Sequence, residues 1–379
     1  MSDTVITNAL IVLAHELVRG SVHLVDGCIA AVDSVPSRLP AALDFDGDLL
    51  LPGLVELHTD NLERHAMPRP GVSFPMRQAV QAHDAEIAAA GITTVFDAVG
   101  AGDPYDAGFR SQNQGELLAM LDLLDDAGVL KVQHHVHVRC ELPAANAREL
   151  FQPFAAHRRL RLMSLMDHTP GQRQWADLEQ ARRHHVGKKG WSQARFDEEL
   201  RLAPERQARH AHANRQWFAD FARTQGIPLA THDDATPAHI DEALAAGATL
   251  AEFPTTLQAA RHARSRGLAT MAGAPNIVRG GSHAGNVAAL TLAREGVLDM
   301  LSSDYVPASL LQAAWQLHAQ VGFSVPEAVA LVSRRPARAS GLADRGDIAP
   351  GQRADLLRVR LVAGVPVVRE VRVAGRRVA

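Results

Sequence analysis

The chain has 379 residues, 46% of them hydrophobic and 21% charged, a globular balance that leaves no room for a large disordered share and suits one large domain with a small accessory. A formal net charge of -3 excludes a nucleic-acid partner held by bulk basicity, and no apolar run is long enough to span a membrane. Only Cys28 and Cys140 occur, far apart, and no signal-peptide pattern opens the chain, so a cytoplasmic protein is expected.

Residues 5–12, 20–25 and 28–32 read as short strands, the last two joined by the hairpin signal Asp26-Gly27. The far end answers in kind, with 365–368 and 370–375 as strands separated by turns. Two β-rich ends predict one small sheet domain built from residues 1–50 and 345–379, with 51–344 inserted between them.

The inserted part alternates strand and helix. Strands are predicted at 54–57, 93–98, 131–139, 161–166, 227–230, 250–253, 269–272 and 300–303, with helices near 77–90 and 112–127 among the connections. This pattern fits a (β/α)8 TIM barrel, and equally a doubly wound open sheet. The positions of the polar residues favour the barrel. His58 and Asp60, Asp97, Glu141, Asp167-His168, His232-Asp233-Asp234 and Asp304 all follow strand candidates, and only a barrel gathers strand ends at one mouth. No Gly-rich nucleotide loop accompanies the strands.

His58 and Asp60, two apart at a strand end, pair an imidazole with a carboxylate, donors suited to zinc or a neighbouring divalent metal. Glu141, His168 and His232 extend the set, with Glu141 able to bridge two ions, and Asp304 is placed both to ligate and to accept a proton from water activated there. Of the 19 histidines, many sit in Arg-rich helical stretches such as 182–185 and 209–212, where a solvated face is expected.

These residues resemble the amidohydrolase superfamily: the His58-x-Asp60 pair, an acid after a fourth strand, single histidines after a fifth and a sixth, and an aspartate after an eighth. The segment 351–356, Gly-Gln-Arg-Ala-Asp-Leu, is similar to the split β-sandwich that such proteins often carry. The commoner pattern has His in place of Asp60 and a carbamylated Lys in place of Glu141, so one metal ion or two remain open, as do manganese and iron beside zinc. Longer blocks, at 57–71, 166–174, 231–236, 251–256, 273–283 and 301–305, resemble a narrower family of bacterial phosphonate breakdown by the C-P lyase route. That resemblance implies hydrolysis of α-D-ribose 1-methylphosphonate 5-triphosphate to the 5-phosphate and pyrophosphate. The alternative is hydrolysis of a C-N bond in a cyclic amide or N-acyl compound.

A triphosphate substrate requires cations at the mouth, and Arg64, Arg69, Lys188, Lys189 and Arg279 all follow strand ends or lie in insertions between them. Gly280-Gly281-Ser282 beside Arg279 suits a backbone amide nest, and His283 suits either a phosphate contact or general acid, or a helix cap. The expected reaction is attack on the phosphorus nearest the ribose, with Asp304 taking the proton and pyrophosphate leaving. The helical stretch 175–223 exceeds a barrel crossover and suits either a lid over the phosphate site or a contact in a homodimer.

Overall fold

The computed structural model describes residues 3–69, 72–104, 114–188, 190–282 and 285–379, together with every side chain in those spans except that of Lys188. The first strands are β1 (Asp3–Val12), β2 (Leu17–Val25), β3 (Cys28–Asp33), β4 (Leu43–Asp44) and β5 (Leu49–Pro52). Then come β6 (Leu54–Thr59), β7 (Ile92–Ala101), β8 (Gln133–Glu141), β9 (Leu160–Met166), β10 (Leu229–His232), β11 (Leu250–Glu252), β12 (Ala269–Gly273) and β13 (Met300–Ser302). The chain ends with β14 (Leu356–Val362), β15 (Val365–Val373) and β16 (Arg376–Arg377).

Both termini build one sheet, ordered β16-β15-β14-β5-β1-β2-β3 with β4 beside β1. β5 is the seam, parallel to β1 and antiparallel to β14, so residues 300 apart in sequence share a ladder. Buried Asp48 fixes that seam by accepting from Arg358 Nε at 2.5 Å and Arg360 Nε at 2.6 Å. A single glycine carries the chain from this sheet into the next. A Cβ on Gly53 would lie 2.2 Å from Thr93 Oγ1, so no larger residue fits where β5 turns into β6.

β6 to β13 form the second sheet, each parallel to its sequence neighbour. A parallel bridge between Thr59 and Asp304, with Asp60 N donating to Asp304 O at 3.1 Å, brings its two edges together into a barrel. Val55, Leu57, Phe96, Leu162, Ala230, Leu250, Met271 and Met300 come from seven of its strands and make one buried cluster, against which Ala339 and Leu342 pack. Parallel strands buried on both faces need such apolar runs. The connecting helices bury their inner faces over the outside, as Ala79, Val80 and Ile87 do on helix Met76–Ala89.

The counting of strands requires correction. Glu141 ends the third barrel strand, β8, not the fourth; His168 follows the fourth, β9; and His232 ends the fifth, β10. Asp97 is not at the mouth either. β7 runs on to Ala101, which leaves Asp97 in mid-strand, facing helix Met76–Ala89 and bonded to His83 there.

The stretch predicted as helical from 175 is a 3-10 turn at Arg173–Trp175, a short helix Leu178–Arg182, a π-helical turn Arg183–Lys188 and one long helix, Gln193–Gln225. Ser192 caps its start by accepting from Arg195 N, and Gly226, at φ 65°, ends it in the left-handed conformation. Its second half is anchored: Phe218 is fully buried, with its ring 5.3 Å from that of Phe151. Burying such a side chain contributes roughly 2–3 kcal/mol. The first half reaches over the barrel mouth.

Candidate metal centre

The C-terminal strand ends open into one cavity of about 1220 Å³, whose wall includes His58, Asp60, Glu141, His168, His232 and Asp304. The backbone is bent where it enters this wall. Asp233, Phe253 and Asp304, each just past a strand end, have φ of 57°, 54° and 52°. Non-glycine residues rarely adopt that region, and its concentration here marks a site whose geometry the rest of the fold enforces.

Glu252 organises the imidazoles. Fully buried at the end of β11, it accepts from His58 Nδ1 at 2.9 Å through one oxygen and from His232 Nδ1 at 2.7 Å through the other. Burial alone would raise its carboxyl, but the His58 and His137 charges and these two hydrogen bonds hold it well below the usual range. With Nδ1 donating, Nε2 of each ring keeps its lone pair, and the rings stack at 5.6 Å and 15°. A carboxylate fixing the far nitrogen of a ligand histidine is the arrangement that metal sites use. Glu141 does the same for His168, accepting from its backbone N at 3.0 Å and from Nδ1 at 2.5 Å. Its carboxyl is pulled down to about 2, burial being outweighed by His168. Each Glu141 oxygen accepts one hydrogen bond from His168 and keeps a further lone pair toward the cavity that it lines.

The donor atoms fall into two adjoining groups, His58 with Asp60 and Asp304, and His168 with His232 and Asp233, each with one set of ligand atoms within 4.8 Å of one another. Asp233 Oδ2 is buried, lacks a hydrogen-bond partner and lies 3.2 Å from His232 Nε2. Burial works against charge on His232, yet Asp233 and Glu252 raise its proton affinity, so this position draws a positive charge. Imidazole nitrogens and carboxylates around an orphaned buried oxygen fit a divalent metal. Asp304 is half-buried, and loss of water around it, reinforced by Asp60, pushes its carboxyl up to about 7 against the pull of His58 and Arg139.

A second cluster of His and Asp does not fit an ion. His83 Nε2 and His134 Nδ1 meet the two oxygens of Asp97 at 2.7 and 2.8 Å, while Asn61 donates to His83 Nδ1 and Asp84 accepts from His134 Nε2. Every ligand atom there is already engaged.

The cations divide in the same way. Arg69 lines the cavity. Arg64 does not: it lies outside the wall, its Nη2 2.7 Å from Glu86. Arg279 is exposed and also outside the wall, at the end of a five-residue helix, Ala274–Val278. Lys189 and His283 lie outside the described residues, as does the side chain of Lys188.

Sequence reasoning missed Arg139 and Glu252 and did not single out Asp233 as a candidate ligand. Arg139, buried in the wall, donates from Nη1 to Asp60 Oδ1 at 3.0 Å and to His58 Nε2 at 3.1 Å. The signal for Glu252 was available, since β11 ends in an acid as other barrel strands do. The expectation of a solvated face at His184-His185 is overturned. The π-helical turn brings His185 inward, its ring 4.5 Å from Trp191 and 5.5 Å from Trp175, and all four rings line the cavity.

The Amidohydrolase family model matches residues 49–378. The chain is 46% identical over 359 residues to the alpha-D-ribose 1-methylphosphonate 5-triphosphate diphosphatase of Escherichia coli (strain K12), covering 93% of this chain and 94% of that one. Among solved structures, N-acetyl-D-glucosamine-6-phosphate deacetylase from Mycobacterium smegmatis superposes with a TM-score of 0.65 at 17% identity, over 99% of this chain and 100% of that one. Dihydropyrimidinase from Brevibacillus agri NCHU1002 gives a TM-score of 0.65 at 13% identity, over 99% and 95%. These two establish a shared fold.

Proposed function

The chain belongs to the amidohydrolase family, and on that premise we propose that it is a metal-dependent diphosphatase of phosphonate breakdown. It hydrolyses α-D-ribose 1-methylphosphonate 5-triphosphate to the 5-phosphate and pyrophosphate. The observation that carries this is the 46% identity, spread over 93% of the chain, to an enzyme named for that reaction. The mouth agrees chemically: Arg69, Arg139, Arg195 and Arg206 line a cavity large enough for a triphosphorylated sugar.

His58, His168 and His232, with Asp60, Glu141 and Asp304 and with Asp233 beside them, would hold the metal. We assign zinc, because imidazole-rich sets with carboxylates favour it. When bound, the ion supplies Lewis acidity toward water and the phosphoryl group. Asp304, at the closing edge of the barrel beside His58 and Asp60, is positioned to accept a proton from water activated there. Glu252 and Glu141 hold the imidazoles in the tautomer that aims Nε2 into the mouth. Arg69 and Arg195, both in the cavity wall, are available to the departing pyrophosphate, and the first half of helix Gln193–Gln225 shields the reaction from water. Two unpaired thiols, Cys28 and Cys140, suit a reducing cytoplasm.

The C-N reading has the likeness of the solved structures behind it, which is likeness of fold. It does not call for four arginines in the wall of the mouth, which a polyanionic substrate does. Phosphorus NMR of the zinc-loaded enzyme with a 5-triphosphorylated ribose decides between them. Pyrophosphate as first product supports the diphosphatase; no phosphorus chemistry, with turnover of a cyclic amide instead, overturns it.

A further inference from the structure

Arg139 contacts the very atoms a metal would use. A guanidinium only donates, so His58 Nε2 must accept from Arg139 Nη1, and the lone pair it offers is the one a metal–nitrogen bond requires. The same Nη1 holds Asp60 Oδ1. A metal at His58 and Asp60 and the guanidinium at those atoms are therefore mutually exclusive. Arg139 has reason to leave and somewhere to go. Its Nε is buried without a hydrogen-bond partner, its side chain is 7% exposed, and it forms part of the cavity wall. No other lining arginine among the described residues is buried.

We propose that Arg139 is a place-holding cation at His58 and Asp60 that an incoming divalent metal displaces, which frees the guanidinium for the anionic group of the substrate. Before loading it offsets Asp60 and Asp304, two carboxylates crowded at the closing edge of the barrel. After loading, the metal takes over that charge and the planar fork becomes available for bidentate contact with phosphoryl oxygens. Metal binding would thus complete the anion site by adding the Arg139 fork to the other arginines of the cavity wall. The second half of this inference rests on the diphosphatase reading; the displacement itself does not.

The test begins without substrate. Metal-stripped wild type and Arg139→Met are titrated with zinc alone by calorimetry. Removing a competing cation predicts metal binding tighter on the order of tenfold in the variant. Equal or weaker binding overturns the displacement. Pyrophosphate added to the zinc-loaded proteins is then expected to bind roughly tenfold to a hundredfold more weakly to the variant, from the lost charged hydrogen bonds. Equal binding overturns delivery to the phosphate while leaving the titration result standing. Should Arg139→Met fail to fold by circular dichroism, phenylglyoxal labelling of wild type replaces it. Zinc should increase modification of the Arg139 peptide, read by mass spectrometry, and no increase overturns the proposal.

Discussion

Replacing Asp304 by Asn changes the charge of the mouth and almost none of its volume. Burial and the repulsion of Asp60 raise the Asp304 carboxyl to about 7, against an ordinary 3.8. Between those two values the unfolded chain releases a proton that the folded, metal-stripped protein retains. The associated stability is complete below pH 3.8 and is lost as the pH rises through 7. Some three pH units, at about 1.4 kcal/mol each, put the loss at roughly 4 kcal/mol by pH 8 as an upper limit. The amide does not ionise, and the backbone contacts of residue 304 with Thr59 and Asp60 survive the change. EDTA-treated Asp304→Asn should therefore be more stable than EDTA-treated wild type at pH 8 by up to that amount, and equal to it within about 1 kcal/mol near pH 4.5. Urea unfolding followed by tryptophan fluorescence at the two pH values measures this. A variant less stable at both, or a difference that ignores pH, would refute the reasoning.

Glu252→Gln should lower zinc affinity by about 10–100-fold, since Glu252 orients both His58 and His232; unchanged metal content after dialysis would contradict that role. Arg64→Ala and Arg279→Ala should leave KM and kcat essentially unchanged, with stability shifts under about 1 kcal/mol, because both side chains are exposed and outside the cavity. A large rise in KM for either would return it to the substrate site. In the second His–Asp cluster, Asp97 and Asp84 overcome burial and hold His134 up at about 9, from 6.5. Its contribution is complete below pH 6.5 and lost as pH rises through 9, about 3 kcal/mol in all. His134→Gln should flatten that alkaline limb in pH-dependent melting.

Each barrel strand could be located in the sequence because alternation and turn residues bracket it, and the terminal strands were legible for the same reason. Strand ends were less secure. Asp97 read as a mouth residue because the apolar run appeared to stop at 98, whereas β7 continues to Ala101 by pairing with β8, a long-range contact that local pattern does not encode. His58, Asp60, His168, His232 and Asp304 stood out as polar residues following apolar runs, and they lie together at the mouth. Arg139 did not stand out, because within a strand an arginine beside valine and cysteine reads as an outward-facing residue. Only the closed barrel shows which way it points. The inward turn of His184 and His185 depends on Trp175 and Trp191, whose stacking is a tertiary fact.

Attack at the phosphorus nearest the ribose is the centre of the proposed chemistry, and hydrolysis in 18O-labelled water tests it directly. Mass spectrometry of the products should find the label in the ribose 5-phosphate and none in pyrophosphate. Label in pyrophosphate would place the attack on the next phosphorus and contradict the account.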